Sequence, residues 1–224
     1  MKKVALLTCS EWPDLSEDDA LLVKPFEEYG FEVCAIPWDS TSVNWQDFDI
    51  CIIRSTWNYH YNIEKFLKWV DEMEQKQVNI WNPMSIVKWN LNKNYLKNLK
   101  LKGIPIVQTI WVNKGEKINL AQIMQSHNFT EVVIKPVVGA SSYQILNSNL
   151  GDVKKIQPEL DKFIKQTDVL VNPLIEEIKT EGEWSLIFID GSYSHSVLKN
   201  PQKMILEFRK DMEEFPKWLP RLRI

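Results

Sequence analysis

Residues 132–142 of the chain read Val-Val-Ile-Lys-Pro-Val-Val-Gly-Ala-Ser-Ser. Three β-branched apolar residues lead into Lys135, and Pro136 then stops the ladder of strand hydrogen bonds, a pattern typical of a buried strand. Residues 139–142 have little side-chain bulk, so their backbone N–H groups and hydroxyls can approach an anion. The stretch fits two interpretations: a lysine fixed beside a phosphate-binding loop, or an ordinary Lys-Pro turn that leaves a strand.

The composition is that of an ordinary globular protein. Of 224 residues, 44% are hydrophobic and 25% are charged. The formal net charge of -3 argues against a general nucleic-acid binder, which carries a basic face. No apolar run is long enough to span a bilayer, and the start MKKVALL reads as a first strand and not as a signal peptide. We therefore expect neither nucleic acid nor membrane as a partner.

The three cysteines, Cys9, Cys34 and Cys51, lie far apart and form no C-x-x-C pair. Each lies beside or within an apolar run, which predicts buried free thiols in a reducing cytoplasm.

The first 88 residues predict an α/β lobe with a parallel sheet. Strands are expected at 3–9, 31–36, 49–53 and 78–81, with a helix from Ser16 to Gly30 that Pro25 kinks or splits, and another from about Asn62. Parallel sheets place ligands at the carboxyl ends of their strands. Arg54, Ser55 and Trp57 directly follow the third strand and are therefore expected at the mouth of a cleft.

From residue 89 the pattern predicts an α+β lobe with antiparallel pairs. Its expected helices span 91–102, 120–126 and 152–166, and its expected strands include 104–112, the strand that ends at Lys135, and 168–171. Two further strands, 183–189 and 192–198, flank Asp190-Gly191, which is a hairpin turn signal.

Six phrases now carry a resemblance to a known family. They are RSTWNYH at 54–60, WNLNKNYL at 89–96, GIPIVQT at 103–109, VIKPVVGASS at 133–142, GEWSLIFIDG at 182–191 and YSHSVLK at 193–199. In order and spacing they resemble the ATP-grasp superfamily, specifically its glutathione-synthetase-like carboxylate–amine ligases. The resemblance implies a pre-ATP-grasp α/β lobe at 1–88 and two ATP-grasp α+β subdomains at 89–170 and 171–224, the last incomplete.

The resemblance also implies the chemistry. A small-molecule carboxylate takes the γ-phosphoryl group of ATP to give an acyl phosphate, and an amine then displaces phosphate to form an amide. ATP and Mg2+ are the implied cofactors, and a homodimer is a possible assembly because dimers are common among relatives.

For the nucleotide, the resemblance implies that Lys93 and Lys135 contact the phosphates, with Lys135 also near the adenine. A mobile loop with Gly139, Ser141 and Ser142 covers the β- and γ-phosphates. A second segment, Asn172, Pro173 and Leu174, binds adenine through its backbone. Glu183, with Glu176 and Glu177 as alternatives, accepts hydrogen bonds from the ribose hydroxyls. Alternatively, Lys93 is an ordinary solvent-exposed lysine on a helix, and the glutamates belong to a solvent-exposed turn without a binding role.

For the reaction, the resemblance implies that Lys199 and Arg209 face the transferring phosphoryl group, where positive charge stabilises most. Arg54, Ser55 and Trp57 would reach the substrate from the first lobe. The histidines show no metal-ligand spacing, which argues against a metal site. His60 and His195 are instead expected as hydrogen-bonded residues at the edge of the cleft.

After Arg209 the chain departs from the family's pattern. Relatives have a strand-rich segment there, with carboxylates and an asparagine that hold magnesium, whereas residues 210–224 contain Pro216 and Pro220 and lack that spacing. The metal ligands are therefore unknown, and the departure indicates a truncated or frame-shifted reading frame. The alternative to an active ligase is a catalytically inactive remnant that at most binds nucleotide.

Overall fold

A computed structural model describes residues 1–140 and 144–199 of the chain. The chain divides into two compact units, Met1–Pro173 and Leu174–Ile224. The three predicted segments, with boundaries at residues 88 and 170, stay a prediction, and the predicted incomplete end of the last one lies outside the described residues.

The first sheet is parallel, as predicted. Its strands are β1 (Lys2–Thr8), β2 (Phe31–Pro37), β3 (Ile50–Ile53) and β4 (Ile80–Trp81), in the order β2-β1-β3-β4. The central strand β1 is buried from Val4 to Thr8, because neighbouring strands and covering helices remove both of its faces from water. The carboxyl ends of β1, β2 and β3 therefore meet at one edge.

Short helices connect the strands of this sheet. They are α1 (Glu17–Ala20), α2 (Val23–Glu28), α3 (Ile63–Gln75) and α4 (Met84–Leu91). The predicted split of the first helix is confirmed, since α1 ends before Leu21 and α2 carries Pro25 in its first turn. Ser16 caps α1, with its hydroxyl accepting from the backbone N–H of Asp19 at 3.1 Å.

Four aromatic side chains, Trp38, Trp45, Phe66 and Trp69, are buried in the apolar core of the first sheet. Helix α3 buries Phe66, Trp69, Val70 and Met73, while Leu67 is 36% exposed. Position 67 lies one residue round the helix from the buried row at 66, 70 and 73, so that it turns toward solvent.

The second sheet is antiparallel, as predicted. It contains β5 (Ile110–Val112), β6 (Glu131–Pro136), β7 (Leu146–Asn149) and β8 (Val169–Pro173), in the order β5-β8-β6-β7. Two helices, α6 (Leu120–Ser126) and α7 (Val153–Gln166), pack against one of its faces and bury Val132, Ile134, Val169 and Val171.

Two predictions for this region are wrong. The helix expected at 91–102 is shorter, because α5 spans only Tyr95–Leu101. The Asn92 side chain accepts from the backbone N–H of Asn94 at 2.9 Å, and such local bonds compete with a helix. The strand expected at 104–112 is reduced to β5, which is consistent with Pro105 lacking an N–H donor near its start.

In the second unit, α8 (Glu176–Thr180) precedes a hairpin of β9 (Glu183–Ile189) and β10 (Ser192–Lys199). The predicted turn is confirmed, since Asp190 and Gly191 both have positive φ, as the favoured two-residue hairpin turn requires. Gly182 also has positive φ, and a Cβ there would collide with the carbonyl oxygen of Lys199. Within the described residues, no helix is both long and apolar enough to cross a bilayer.

All three cysteines are free thiols, but only Cys9 and Cys51 are buried; Cys34 is half-buried on the edge strand β2. Burial raises the pKa of Cys51 to about 11 and raises the pKa of Cys9. Because the thiolate is the reactive form, we expect iodoacetamide to modify Cys34 first in the native protein.

Peptide mass spectrometry after timed quenching measures this order of modification. Denaturant supplies the control, since unfolding should bring the three rates together. Modification of Cys51 at the rate of Cys34 in the folded protein would contradict the prediction.

Candidate functional site

Arg54 and Ser55 lie at the carboxyl end of β3, as predicted. Their backbone N–H groups both donate to the carbonyl of Leu7, at 3.2 and 2.9 Å, which ties this turn to the central strand β1. The Arg54 side chain is 40% exposed, whereas Ser55 is buried. The turn therefore presents a guanidinium at the sheet edge from a rigid backbone.

Asp19 belongs to this group, although its sequence pattern did not indicate it. One carboxylate oxygen accepts from Arg54 Nε at 2.6 Å, and the other accepts from the Ser55 hydroxyl. The spacing of Ser16 and Asp19 is that of a helix-capping box. An available signal is that a capping box needs glutamate or glutamine at this position, so a shorter aspartate remains available for another partner.

A second polar cluster joins the ends of three strands. The Asn58 amide donates to Glu11 at 2.5 Å and to Asp39 at 2.9 Å, and it accepts from Trp38 Nε1 at 2.5 Å. Burial raises the pKa of Asp39, but hydrogen bonds from Ser10 and Asn58 outweigh it and leave that pKa below its usual value. Asp39 is therefore an ionised anchor for the loops after β1, β2 and β3.

Trp57, the third predicted substrate residue, begins a 3-10 turn at Trp57–Tyr61. Its ring meets that of Trp12 edge to face, with centroids 5.9 Å apart. The two indoles thus link the loop after β1 with the loop after β3.

Lys93 lies in the turn between α4 and α5 and not in a helix, which corrects the prediction. Its backbone N–H donates to Val137 and its ammonium donates to the carbonyl of Gly139, both at 2.8 Å. Since the Asn92 turn interrupts the helix, the Lys93 N–H is available to Val137, which directly follows β6. The start of the small-residue loop is thereby fixed to Lys93, while Ser141 and Ser142 lie outside the described residues.

The structure brings Lys93 and Lys135 together. Burial lowers the pKa of Lys93, and the positive charge of Lys135 lowers it further. Their predicted role in holding ATP phosphates stays a prediction.

Strand alternation shows which face of the second sheet carries Lys135. Ile134 lies in the core on one face, so Lys135 belongs to the other, where its register partner is Leu170 of β8. Trp111 of β5 is the next partner across, and Lys97 of α5 lies 5.4 Å from its ring centroid. This face therefore combines cationic and aromatic side chains.

Asn172, Pro173 and Leu174 end β8 and open the second unit. The buried Asn172 amide donates to the Gln108 carbonyl at 3.0 Å and to the Thr109 hydroxyl at 2.8 Å. Its side chain therefore fixes the segment before β5, while the predicted adenine reading by the backbone stays a prediction.

In the second unit, Glu183 and Lys199 are register partners across the hairpin, with Nζ and Oε1 4.0 Å apart. Glu176 and Glu177 lie in the first turn of α8, and Glu176 pairs with Lys179 at 3.1 Å. The predicted phosphoryl-binding residue Arg209 lies outside the described residues. The roles of Glu183 and Lys199 toward ATP stay predictions.

His60 is buried in the turn after β3, where the charge of Lys93 acts on it. Burial lowers its pKa; a backbone hydrogen bond at Trp57 raises it, the charge of Lys93 lowers it and that of Glu11 raises it. Lys93 and Glu11 thus lie close enough to His60 to act on it electrostatically. His195 is exposed on β10, with Nδ1 3.0 Å from the Ser194 hydroxyl.

The described residues near Lys93 offer positive charge to an anion. Burial and the charge of Lys135 disfavour the charged form of Lys93, which an anion beside it would stabilise. Residues 1–140 and 144–199 contain no group of three or more His, Cys, Asp or Glu side chains arranged to hold a metal ion.

Comparison with known proteins connects this geometry with a family. A family model described as the N-terminal domain of D-cycloserine synthetase DcsG matches residues 4–82. The cycloserine biosynthesis protein DcsG of Streptomyces lavendulae is 27% identical over 177 residues, which cover 77% of this chain and 58% of that protein. The chain thus spans little more than half the length of this curated relative.

Solved structures agree. The crystal structure of D-cycloserine synthetase DcsG matches with a TM-score of 0.77 and 25% identity, covering 88% of this chain and 68% of that one. The RimK domain ATP-grasp protein of Sphaerobacter thermophilus shares the fold with a TM-score of 0.59 and 17% identity, covering 77% of this chain and 64% of that one. The predicted fold is confirmed: the chain is similar to DcsG and shares the fold of ATP-grasp proteins.

Proposed function

We propose that this protein is an ATP-dependent ligase that joins a small-molecule carboxylate to an amine through an acyl phosphate. The observation that supports it most is the pairing of Lys93 with Lys135 beside the loop that begins at Gly139. Burial and the positive charge of Lys135 both disfavour the charged form of Lys93, so an anion beside this ammonium is favourable. A triphosphate supplies such an anion, and the similarity to ATP-grasp proteins makes ATP the first candidate.

The proposed reaction has two displacements. A carboxylate oxygen attacks the γ-phosphorus and ADP leaves; the amine nitrogen then attacks the acyl carbon, phosphate leaves, and the amine proton passes to solvent. In such phosphoryl transfer, positioning and charge neutralisation do most of the work. We assign nucleotide binding to Lys93 and Lys135 and substrate binding to Arg54, Ser55 and Trp57. Magnesium neutralises phosphate charge in such reactions, but the described residues provide no ligand set for it.

The substrates belong to the proposal as well. The relative DcsG is named a D-cycloserine synthetase, so D-cycloserine is the first compound to test as a ligand of this chain. We propose the cytoplasm as the location, since all three thiols are unpaired. A homodimer stays one possible assembly, because dimers are common among the proteins that the sequence resembles.

Calorimetry tests nucleotide binding, with ATP titrated into the protein in the presence and absence of Mg2+. A parallel assay follows ADP release with a panel of amino acids and with D-cycloserine. Amino-acid-dependent ADP release supports the ligase, whereas ATP binding without release supports a nucleotide-binding protein that lacks turnover. A folded sample that shows neither binding nor release overturns both.

A further inference from the structure

We propose that Asp19 is a positioning residue that holds the Arg54 guanidinium so that its two Nη groups bind the carboxylate of the substrate. This inference rests on the proposed ligase function and deepens it. Arg54 donates through Nε to Asp19 at 2.6 Å, and among the described residues its Nη groups donate to no protein atom.

Asp19 is itself held in place at several points. It lies in α1, where Ser16 accepts from its backbone N–H at 3.1 Å. Both oxygens of its carboxylate are occupied, one by Arg54 and one by the Ser55 hydroxyl. Its side chain is 4% exposed, and a carboxylate removed from water to this degree persists only when it is paired and hydrogen-bonded. The pair therefore has a single arrangement.

The use of Nε determines what Arg54 offers to a ligand. A guanidinium has a planar fork of donors, and its Nη edge matches the two oxygens of a carboxylate. Because Asp19 takes the Nε donor, that Nη edge stays available on a side chain that is 40% exposed. The Arg54 side chain thus loses its rotational freedom when the protein folds. A carboxylate that binds Arg54 therefore avoids the entropic cost of fixing that side chain.

If Asp19 acted only through its charge, removing that charge should strengthen the binding of an anion to Arg54. The negative carboxylate would then oppose the attraction between the guanidinium and the anion. Positioning predicts that removing the charge weakens binding, because the fork is released. The sign of the change therefore separates the two explanations.

The test uses acetate as the probe and acetamide as its uncharged counterpart, at constant ionic strength. The 15N side-chain signals of Arg54, assigned from their loss in Arg54→Lys, report binding in the full chain. We expect acetate and not acetamide to shift them, and Asp19→Asn to weaken acetate binding about two- to tenfold, the range expected for ordering one long side chain. A protein that carries both Arg54→Lys and Asp19→Asn should bind acetate as weakly as one that carries Arg54→Lys alone. The NMR signals of acetate measure this residual binding.

Two further variants keep the outcome clear. Asp71→Asn removes a carboxylate that pairs with Lys88 on the surface of α3, and it should leave acetate binding unchanged. Should Asp19→Asn fail to fold, Ser55→Ala releases one carboxylate oxygen while keeping both charges, and it should weaken acetate binding in the same direction. The inference would be overturned if acetate did not shift the Arg54 signals of the wild-type protein. It would also be overturned if Asp19→Asn bound acetate as tightly as wild type or more tightly.

Calorimetry with ATP on the same samples separates this inference from the function on which it rests. Normal ATP binding with no response of Arg54 to acetate would reject the role of Asp19 and leave the ligase proposal standing. Acetate binding with no ATP binding would reject the ligase and keep the carboxylate site.

Discussion

Replacement of Lys93 by methionine should weaken ATP binding and, in the absence of nucleotide, abolish a rise in the protein's stability at alkaline pH. Methionine keeps most of the length and apolar character of the lysine stem and removes the ammonium. A hydrogen bond to a charged partner contributes about 1.5–3 kcal/mol, so the loss of one phosphate contact should weaken ATP about 10- to 100-fold. The second effect follows from the electrostatics of the nucleotide-free protein.

Burial lowers the pKa of Lys93 in the folded protein, and Lys135 lowers it further, from the ordinary value of 10.5. Between the folded value and 10.5 the unfolded chain binds more protons, so the free energy of unfolding rises with pH across that window. Below the folded value both states are charged and the full electrostatic penalty remains. Methionine removes this penalty together with the hydrogen bond to Gly139, and it has no proton to lose, so Lys93→Met should lack the alkaline rise in the free energy of unfolding.

Calorimetry with ATP and urea unfolding across a pH series measure the two effects. Lys100→Met is the matched control, because Lys100 is exposed on the neighbouring helix α5, and it should change neither quantity appreciably. Equal ATP affinity in Lys93→Met would contradict the proposed phosphate contact. An alkaline rise of the same size in Lys93→Met would contradict the electrostatic account of Lys93.

Replacement of Phe66 by alanine should lower the free energy of unfolding by about 3–5 kcal/mol, the usual range for deletion of a buried aromatic side chain. Phe66 is 2% exposed and packs against Trp38, Trp69 and Tyr59, with ring centroids at 4.8, 5.3 and 5.4 Å. A cavity here also loosens Trp38, whose indole N–H holds Asn58 and thereby the loops after three strands. Local disorder at the sheet edge should accompany the loss of stability.

Urea denaturation measures the change in stability, and amide exchange measures the loosening of the loops. Leu67→Ala on the same helix is the control, since a 36% exposed leucine should contribute less than about 1 kcal/mol. Similar losses in the two variants would show that the aromatic core is not the centre of packing in this lobe.

Local sequence information was sufficient where one physical effect dominates. The apolar run that ends at Lys135 forms β6, the periodic row of α7 begins within one residue of its expected start, and Asp190-Gly191 forms the hairpin turn. Ser16 caps a helix, and Pro25 accompanies its split. In each case the residues concerned act on their own backbone or on a neighbour within a few positions, so that the rest of the chain has little influence.

The site depended on contacts between distant residues, and there the pattern was less informative. The Asn92 turn and the carbonyl of Val137 together remove Lys93 from a helix, and no periodicity contains that competition. The strand predicted at 104–112 was likewise longer than the observed one, since only Ile110–Val112 pairs with β8.

By itself, the sequence determined most of the strands and helices, the parallel and then antiparallel sheets, and the two lysines near a small-residue loop, because backbone preference and apolar periodicity act locally. It did not indicate β7, α4 or α8. Only the tertiary structure decided that Asp19, far from Arg54 in sequence, meets it at the edge of the first sheet, and that Asn58 joins Glu11 to Asp39. A buried polar side chain takes whichever partner the fold brings within hydrogen-bonding distance, and that partner is set by the packing of the whole unit.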